Sequence, residues 1–286
     1  MSACPLLSEA ISWGIVAAFA AGIPGQPGIP SAAELNDEAV RLAGMLSKSD
    51  SLLNLPLALN IAFATVLVPT VSAAMASGWQ EAKEKVEFSL LISVLFILPC
   101  SAGLIVLAEP IYQLIYPNAP QGWALLQIAS VGMIFTALNQ TLNGSLQGMG
   151  KVSVPAKALL FGVAAKVTLN LILIRIPAVN IYGAPVASAV CYLIASLICF
   201  SELRATLALR LPIGKYLLKS LACSAVMGAG AAVEYRLFQW MLMSNGLAVL
   251  LTVLCSVVLY LFLILGSRVL SAEEIALLPV GKGTRQ

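Results

Sequence analysis

Histidine is absent from the 286-residue chain, which excludes Ser-His-Asp triads and every zinc site that needs an imidazole. Charge is scarce as well: 10% of residues are Asp, Glu, Lys or Arg, against about 25% in soluble domains. The net charge of +3 is dispersed, without the clustered basic face and interleaved aromatics that nucleic acid would need, so nucleic acid is not an expected partner. The six cysteines, Cys4, Cys100, Cys191, Cys199, Cys223 and Cys255, include no CxxC pair, and five stand inside apolar runs. They read as small buried side chains rather than disulfides or metal ligands. With no nucleophile, base or metal constellation in view, neither a cofactor nor an enzymatic activity is expected.

What the chain does have is apolar length. It is 60% hydrophobic with a mean hydropathy of +0.95, which makes it an all-α, polytopic membrane protein whose first partner is the lipid bilayer. Apolar windows predict eight transmembrane helices, at about Leu7 to Ile23, Leu52 to Ala76, Phe88 to Ala108, Ala124 to Gln147, Val154 to Ile176, Tyr182 to Phe200, Tyr216 to Ala232 and Leu247 to Gly266. The first window lacks the basic start of a signal peptide and carries Glu9, so it reads as a membrane helix. Between the first two windows, residues 32–49 place Ala39, Leu42, Ala43 and Leu46 at helical spacing and are expected to form a separate amphipathic helix at the interface.

Basic residues set the expected orientation. With the N-terminus inside, eleven of the sixteen lysines and arginines fall on cytoplasmic segments and four outside, leaving Lys166 in the membrane. Both termini are therefore expected in the cytoplasm, in a multi-pass protein of the cytoplasmic membrane.

Polar and helix-breaking residues inside the apolar windows are the functional candidates. Pro56 and Pro69 fall in the second window and Pro99 in the third. Each removes a backbone hydrogen bond and permits a kink or hinge. In the fourth, Thr136, Asn139, Gln140, Asn143 and Gln147 share an arc of about 100° on a helix. Such a stripe avoids lipid, and two uses fit it: hydrogen bonding between helices, or lining a cavity. The sequence GMGK around Lys151 lacks the first glycine and the Ser or Thr of a P-loop, so no ATP site is inferred. Gly144 and Gly148 form a GxxxG that would let another helix approach closely.

Lys166 is the sharper anomaly. It lies about a dozen residues into the fifth window, with Asn170 one turn on, where a lysine costs at least about 2.5 kcal/mol. Either it snorkels to the cytoplasmic interface, or it faces a cavity and meets an anionic substrate or a carboxylate partner.

The segments NLPLALNIAFATVLVPTVSAA (Asn54 to Ala74), EPIYQLIYP (Glu109 to Pro117), LNQTLNGSLQGMGKVSVPAKALLFGVAAKVTLNLILI (Leu138 to Ile174), IYGAPVASAVCYL (Ile181 to Leu193) and SAEEIALLPVGKG (Ser271 to Gly283) resemble the stage V sporulation protein B family. Those are polysaccharide-biosynthesis membrane proteins of the superfamily shared by MATE multidrug exporters and lipid II flippases. The resemblance implies two six-helix lobes around a central cavity, followed by two extra helices. Residues 1–203 would be the second lobe and 204–286 the extra pair, with the first lobe missing or supplied by a partner chain.

It also implies a transporter that moves a lipid-linked saccharide precursor of the cell wall between leaflets. Lys166 would then attract phosphate, while Asn139, Gln140, Asn143 and Asn170 would hydrogen-bond the sugar or stabilise the lobe. Two rivals stand beside this reading. One is a MATE-like ion-coupled drug exporter, which needs a buried carboxylate although Glu9, Asp50, Glu109, Glu202 and Glu234 sit at expected helix ends. The other is a non-transporting fragment or assembly subunit.

Overall fold

The structure, a computed structural model, describes residues 32–266 other than 119, 174–175, 177–178, 208–212 and 243. The expected helix at Leu7 to Ile23 and the tail from Ser271 lie outside the described residues. Within them every regular element is helical: α1 (Ala32–Ser77), α2 (Trp79–Val106), α3 (Ala108–Ile115), α4 (Trp123–Gly148), α5 (Ser153–Leu173), α6 (Gly183–Leu207), α7 (Ile213–Leu242) and α8 (Asn245–Gly266), with single 3-10 turns at Pro120–Gly122 and Asn180–Tyr182. All except α3 are long and apolar enough to cross a membrane. The chain is thus a multi-pass membrane protein, and the seven windows expected after the first each find their helix.

The segment 32–49 corrects one expectation, because it is the unbroken beginning of α1 rather than a separate interfacial helix. No proline or turn signal separates Gly44 from Leu52, and helix propagation is easier than stopping and renucleating. Its buried Leu42, Met45 and Ser49 continue the inward face of the apolar part. At 46 residues, α1 is about 69 Å long, more than twice a hydrocarbon core of about 30 Å. The charged turns with Asp37, Arg41 and Lys48 supply the part that stands outside it.

The short helix α3 braces this extension. Tyr112, fully buried, shares a 2.7 Å hydrogen bond with the Ser49 hydroxyl and donates to the Met45 carbonyl at 3.0 Å. Burial pushes its phenol above the ordinary tyrosine range. The Lys48 ammonium lies 5.3 Å from the centroid of the Tyr116 ring, within cation–π range.

At the centre stands α4, which packs on α1, α2 and α6, while α5 packs chiefly on α6, and α7 on α2 and α8. The GxxxG expectation is met: a Cβ on Gly144 would lie 2.6 Å from the Ala64 carbonyl oxygen, and one on Gly148 2.7 Å from that of Val68. Only hydrogen fits there, so α1 lies backbone to backbone on α4.

The prolines leave their helices continuous: α1 runs through Pro56 and Pro69, and α2 through Pro99. Lacking an N–H, Pro99 cannot bond the carbonyl of Leu95. The Tyr260 hydroxyl of α8 donates to that carbonyl at 2.8 Å, so the group a proline frees is satisfied by a neighbouring helix. Hence Pro99 helps to dock α8 on α2.

Candidate functional site

The polar stripe expected on α4 divides between two neighbours. On the α1–α2 side, Asn60, fully buried, donates from Nδ2 to Gln140 Oε1 at 2.8 Å and to the Ala137 carbonyl at 3.0 Å. Its Oδ1 accepts from Ser93 at 2.8 Å, and Thr141 donates to Ser93 Oγ at 3.0 Å. Three helices are thus tied by one knot of polar side chains, and Gln140 belongs to it. Sequence reading missed Asn60 and Ser93, which are single polar residues in apolar windows with no periodic partner.

On the α6 side the stripe is less well matched. Asn143 accepts a long contact from Cys199 Sγ at 3.5 Å, and Thr136 turns back to the Gly132 carbonyl of its own helix at 3.2 Å. Asn139 is 4% exposed, yet its Oδ1 has no hydrogen-bond partner. Gln147 is exposed at the end of the helix.

Lys166 and Asn170 lie on α5, the least covered of the long central helices, which buries only Pro155, Ala158 and Gly162. Both residues are half-buried. The Asn170 Oδ1 is buried and unpaired, and Lys166 has neither a hydrogen bond nor a direct ion pair among the described residues. Lys166 is thirteen residues from Ser153 and seven from Leu173, or about 20 Å and about 10 Å along the helix. Its nearer helix end is therefore the one remote from Lys151, not the one to which snorkelling toward the cytoplasm was expected. Lys151, by contrast, closes the other end by pairing with Glu202 at 2.5 Å and donating to Thr206.

A further feature, one exposed face of α1, was not singled out from sequence. Ser51, Asn54, Ala58, Ala62, Thr65, Pro69, Ser72 and Ala76 are all exposed on α1 and share an arc of about 80° at 100° per residue. Beside it runs the apolar strip of Leu55, Leu59, Phe63 and Val66, also exposed and of the kind lipid would cover. The small, polar strip is a poor surface for hydrocarbon and a good one for water or another backbone. Its signal was present as a 3-4 spacing of small residues, hidden because each is unremarkable alone. Pro69 lies on this strip, whereas Pro56 is half-buried on a different face of α1.

Residues 41–269 match the family described as Lipid II flippase MurJ. Among individual relatives, a membrane protein of Bacillus subtilis called YabM is 34% identical over 160 residues, 56% of this chain and 30% of its own. A probable lipid II flippase MurJ of Bdellovibrio bacteriovorus is 26% identical over 243 residues, 80% of this chain and 45% of its own. The lipid II flippase MurJ of Bacillus subtilis is 26% identical over 198 residues, 67% of this chain and 35% of its own. The chain spans less than half the length of each of these relatives.

Proposed function

The chain belongs to the Lipid II flippase MurJ family, and from that premise we propose that it forms the C-terminal half of a flippase-like transporter. The transporter moves a lipid-linked cell-envelope saccharide precursor of peptidoglycan type across the cytoplasmic membrane. Residues 1–203 serve as the six-helix lobe and 204–286 as two added helices, with a first lobe on the same or another chain. The kinship with the sporulation proteins that Leu138 to Ile174 resemble belongs to the same proposal. The observation that carries the reading is the exposed small, polar strip of α1, which suits a wet cavity between lobes. Lys166 supplies a cation for the diphosphate, and Asn139, Asn143 and Asn170 supply amides for the sugar or the lobe. Gln140 is committed to the knot with Asn60.

Proteoliposomes holding the chain with a six-helix first lobe should flip a fluorescent lipid-linked saccharide. Lys166→Gln should slow flipping about tenfold or more, the scale of losing one buried charge contact, with membrane insertion unchanged. Lys166→Arg should keep part of the rate. Ion-driven dye efflux without flipping would favour the drug-exporter alternative, inactivity in both assays the non-transporting one, and full flipping by Lys166→Gln would remove Lys166 from the mechanism.

The orientation with both termini inside goes with this proposal. In a cysteine-free background, Ala39→Cys should react with membrane-impermeant thiol reagents on intact cells. Protection from them would invert the topology.

A further inference from the structure

Asp50 was expected at a helix end, but α1 begins eighteen residues before it. Three close helix contacts fix how deep it lies. Gly144 of α4 meets Ala64 of α1, Gly132 of α4 meets Ala189 of α6, and Gly162 of α5 meets Cys191 of α6. Counting back from Ala64 to Asp50 along α1, and from Gly144 to Gly132 along α4, puts Asp50 about 3 Å above the Gly132–Ala189 contact. Counting from Cys191 and Gly162 to Lys166 along the antiparallel α5 puts Lys166 about 3 Å above that same contact.

The two residues therefore share one level on either side of α4 and α6. They lie near enough for charge–charge interaction, and Tyr192 of α6 is half-buried. No direct ion pair joins them among the described residues. Between Asp50 and the end of α1, throughout α4, and on α6 before Glu202, no other charged residue occurs, so Asp50 is the one carboxylate these segments offer at the depth of Lys166; Lys48, about 3 Å further out on α1, lies over the Tyr116 ring.

We propose that Asp50 is the resident counter-ion of Lys166: it attracts the ammonium from α1 when no anion is bound, and it competes with a diphosphate for it, favouring release. A lysine charge at membrane depth is stabilised by a nearby anion. A carboxylate at the same level but not locked in contact provides one without blocking the site. The pairing rests on the register of the helices; the diphosphate as competitor rests on the function proposed above.

The two parts are tested separately. For the pairing, Asp50→Cys/Lys166→Cys in a cysteine-free chain should be bridged by a short bifunctional thiol reagent in membranes, while Asp50→Cys/Lys157→Cys, two and a half turns away, should not. The charge-reversed Asp50→Lys/Lys166→Asp should regain thermal stability lost in Asp50→Lys. Failure to bridge together with no rescue would overturn the proposal whatever the protein transports.

For the competition, farnesyl diphosphate binding to the purified chain in detergent is the readout. Lys166→Gln should weaken it and Asp50→Asn should tighten it, each by about tenfold, within the usual range of coupling between sites. Asp50→Asn should have no effect once Lys166→Gln is present. An equal effect of Asp50→Asn in both backgrounds would refute competition. Bridging and rescue with no farnesyl diphosphate bound by any variant would leave the pair standing and remove both the competition and the diphosphate reading of function.

Discussion

The two sides of α4 carry similar side chains and treat them in opposite ways. Toward α1 and α2, Asn60, Ser93, Gln140 and Thr141 bond to one another, and Gly144 and Gly148 bring the backbones together. Toward α6 and α5, Asn139 and Asn170 each bury an unpaired carbonyl oxygen, and Lys166 stands without a direct partner. A polar atom in an apolar interior costs free energy unless it is bonded. The first side has removed that cost and so holds the fold. The second carries the cost uncompensated, as sites that must bind something else do.

If that contrast is right, damage to the first side should show in stability and damage to the second in transport. The largest effect is expected from Gly144→Val, whose side chain meets the Ala64 carbonyl at a point where a Cβ would already be 2.6 Å away. Separating α1 from α4 should destabilise by about 3 kcal/mol, the upper range for overpacking, seen as a large drop in the unfolding temperature in detergent. A variant that melts like wild type would mean that the close contact is not needed.

Asn60→Ala should come next, at about 2 kcal/mol, because it takes the acceptor from the Ser93 hydroxyl and the donor from Gln140 Oε1, while the Ala137 carbonyl keeps its bond from Thr141. Gln140→Ala should cost less, since Asn60 keeps its bonds to the Ala137 carbonyl and Ser93. Equal losses in the two variants would contradict the central place given to Asn60.

Much of this organisation was legible before the structure. Helical periodicity and length located the seven described membrane helices, since each must satisfy its own backbone in lipid, and GxxxG announced a close contact on α4 without saying that α1 would make it. The stripe on α4 was legible as polar, but spacing along one helix does not say which neighbour each amide meets, so the fates of Gln140 and Asn139 could not be told apart. Asn60 and Tyr260 were silent for a related reason: each gains its role from a residue far away, the Gln140 amide in one case and the carbonyl orphaned by Pro99 in the other. The start of α1 was misplaced because charge marks where a helix leaves hydrocarbon, not where it ends. That error put Asp50 at a terminus and concealed its relation to Lys166.

The smallest effect on stability, and the one that bears most on the contrast, is expected at Asn139. Its side chain is as buried as those of the knot, at 4% exposure, so burial alone would forecast a loss comparable to that of Asn60→Ala. Its Oδ1, however, bonds to nothing, and removing an unsatisfied polar group returns the desolvation cost it carried, which offsets the packing lost with the side chain. Asn139→Ala should therefore stay within about 0.5 kcal/mol of wild type in thermal unfolding, while flipping by the assembled transporter falls. A loss of 2 kcal/mol or so, the scale of a severed buried network, would show that Asn139 belongs to the structural side after all. The unbonded oxygen would then not mark a site.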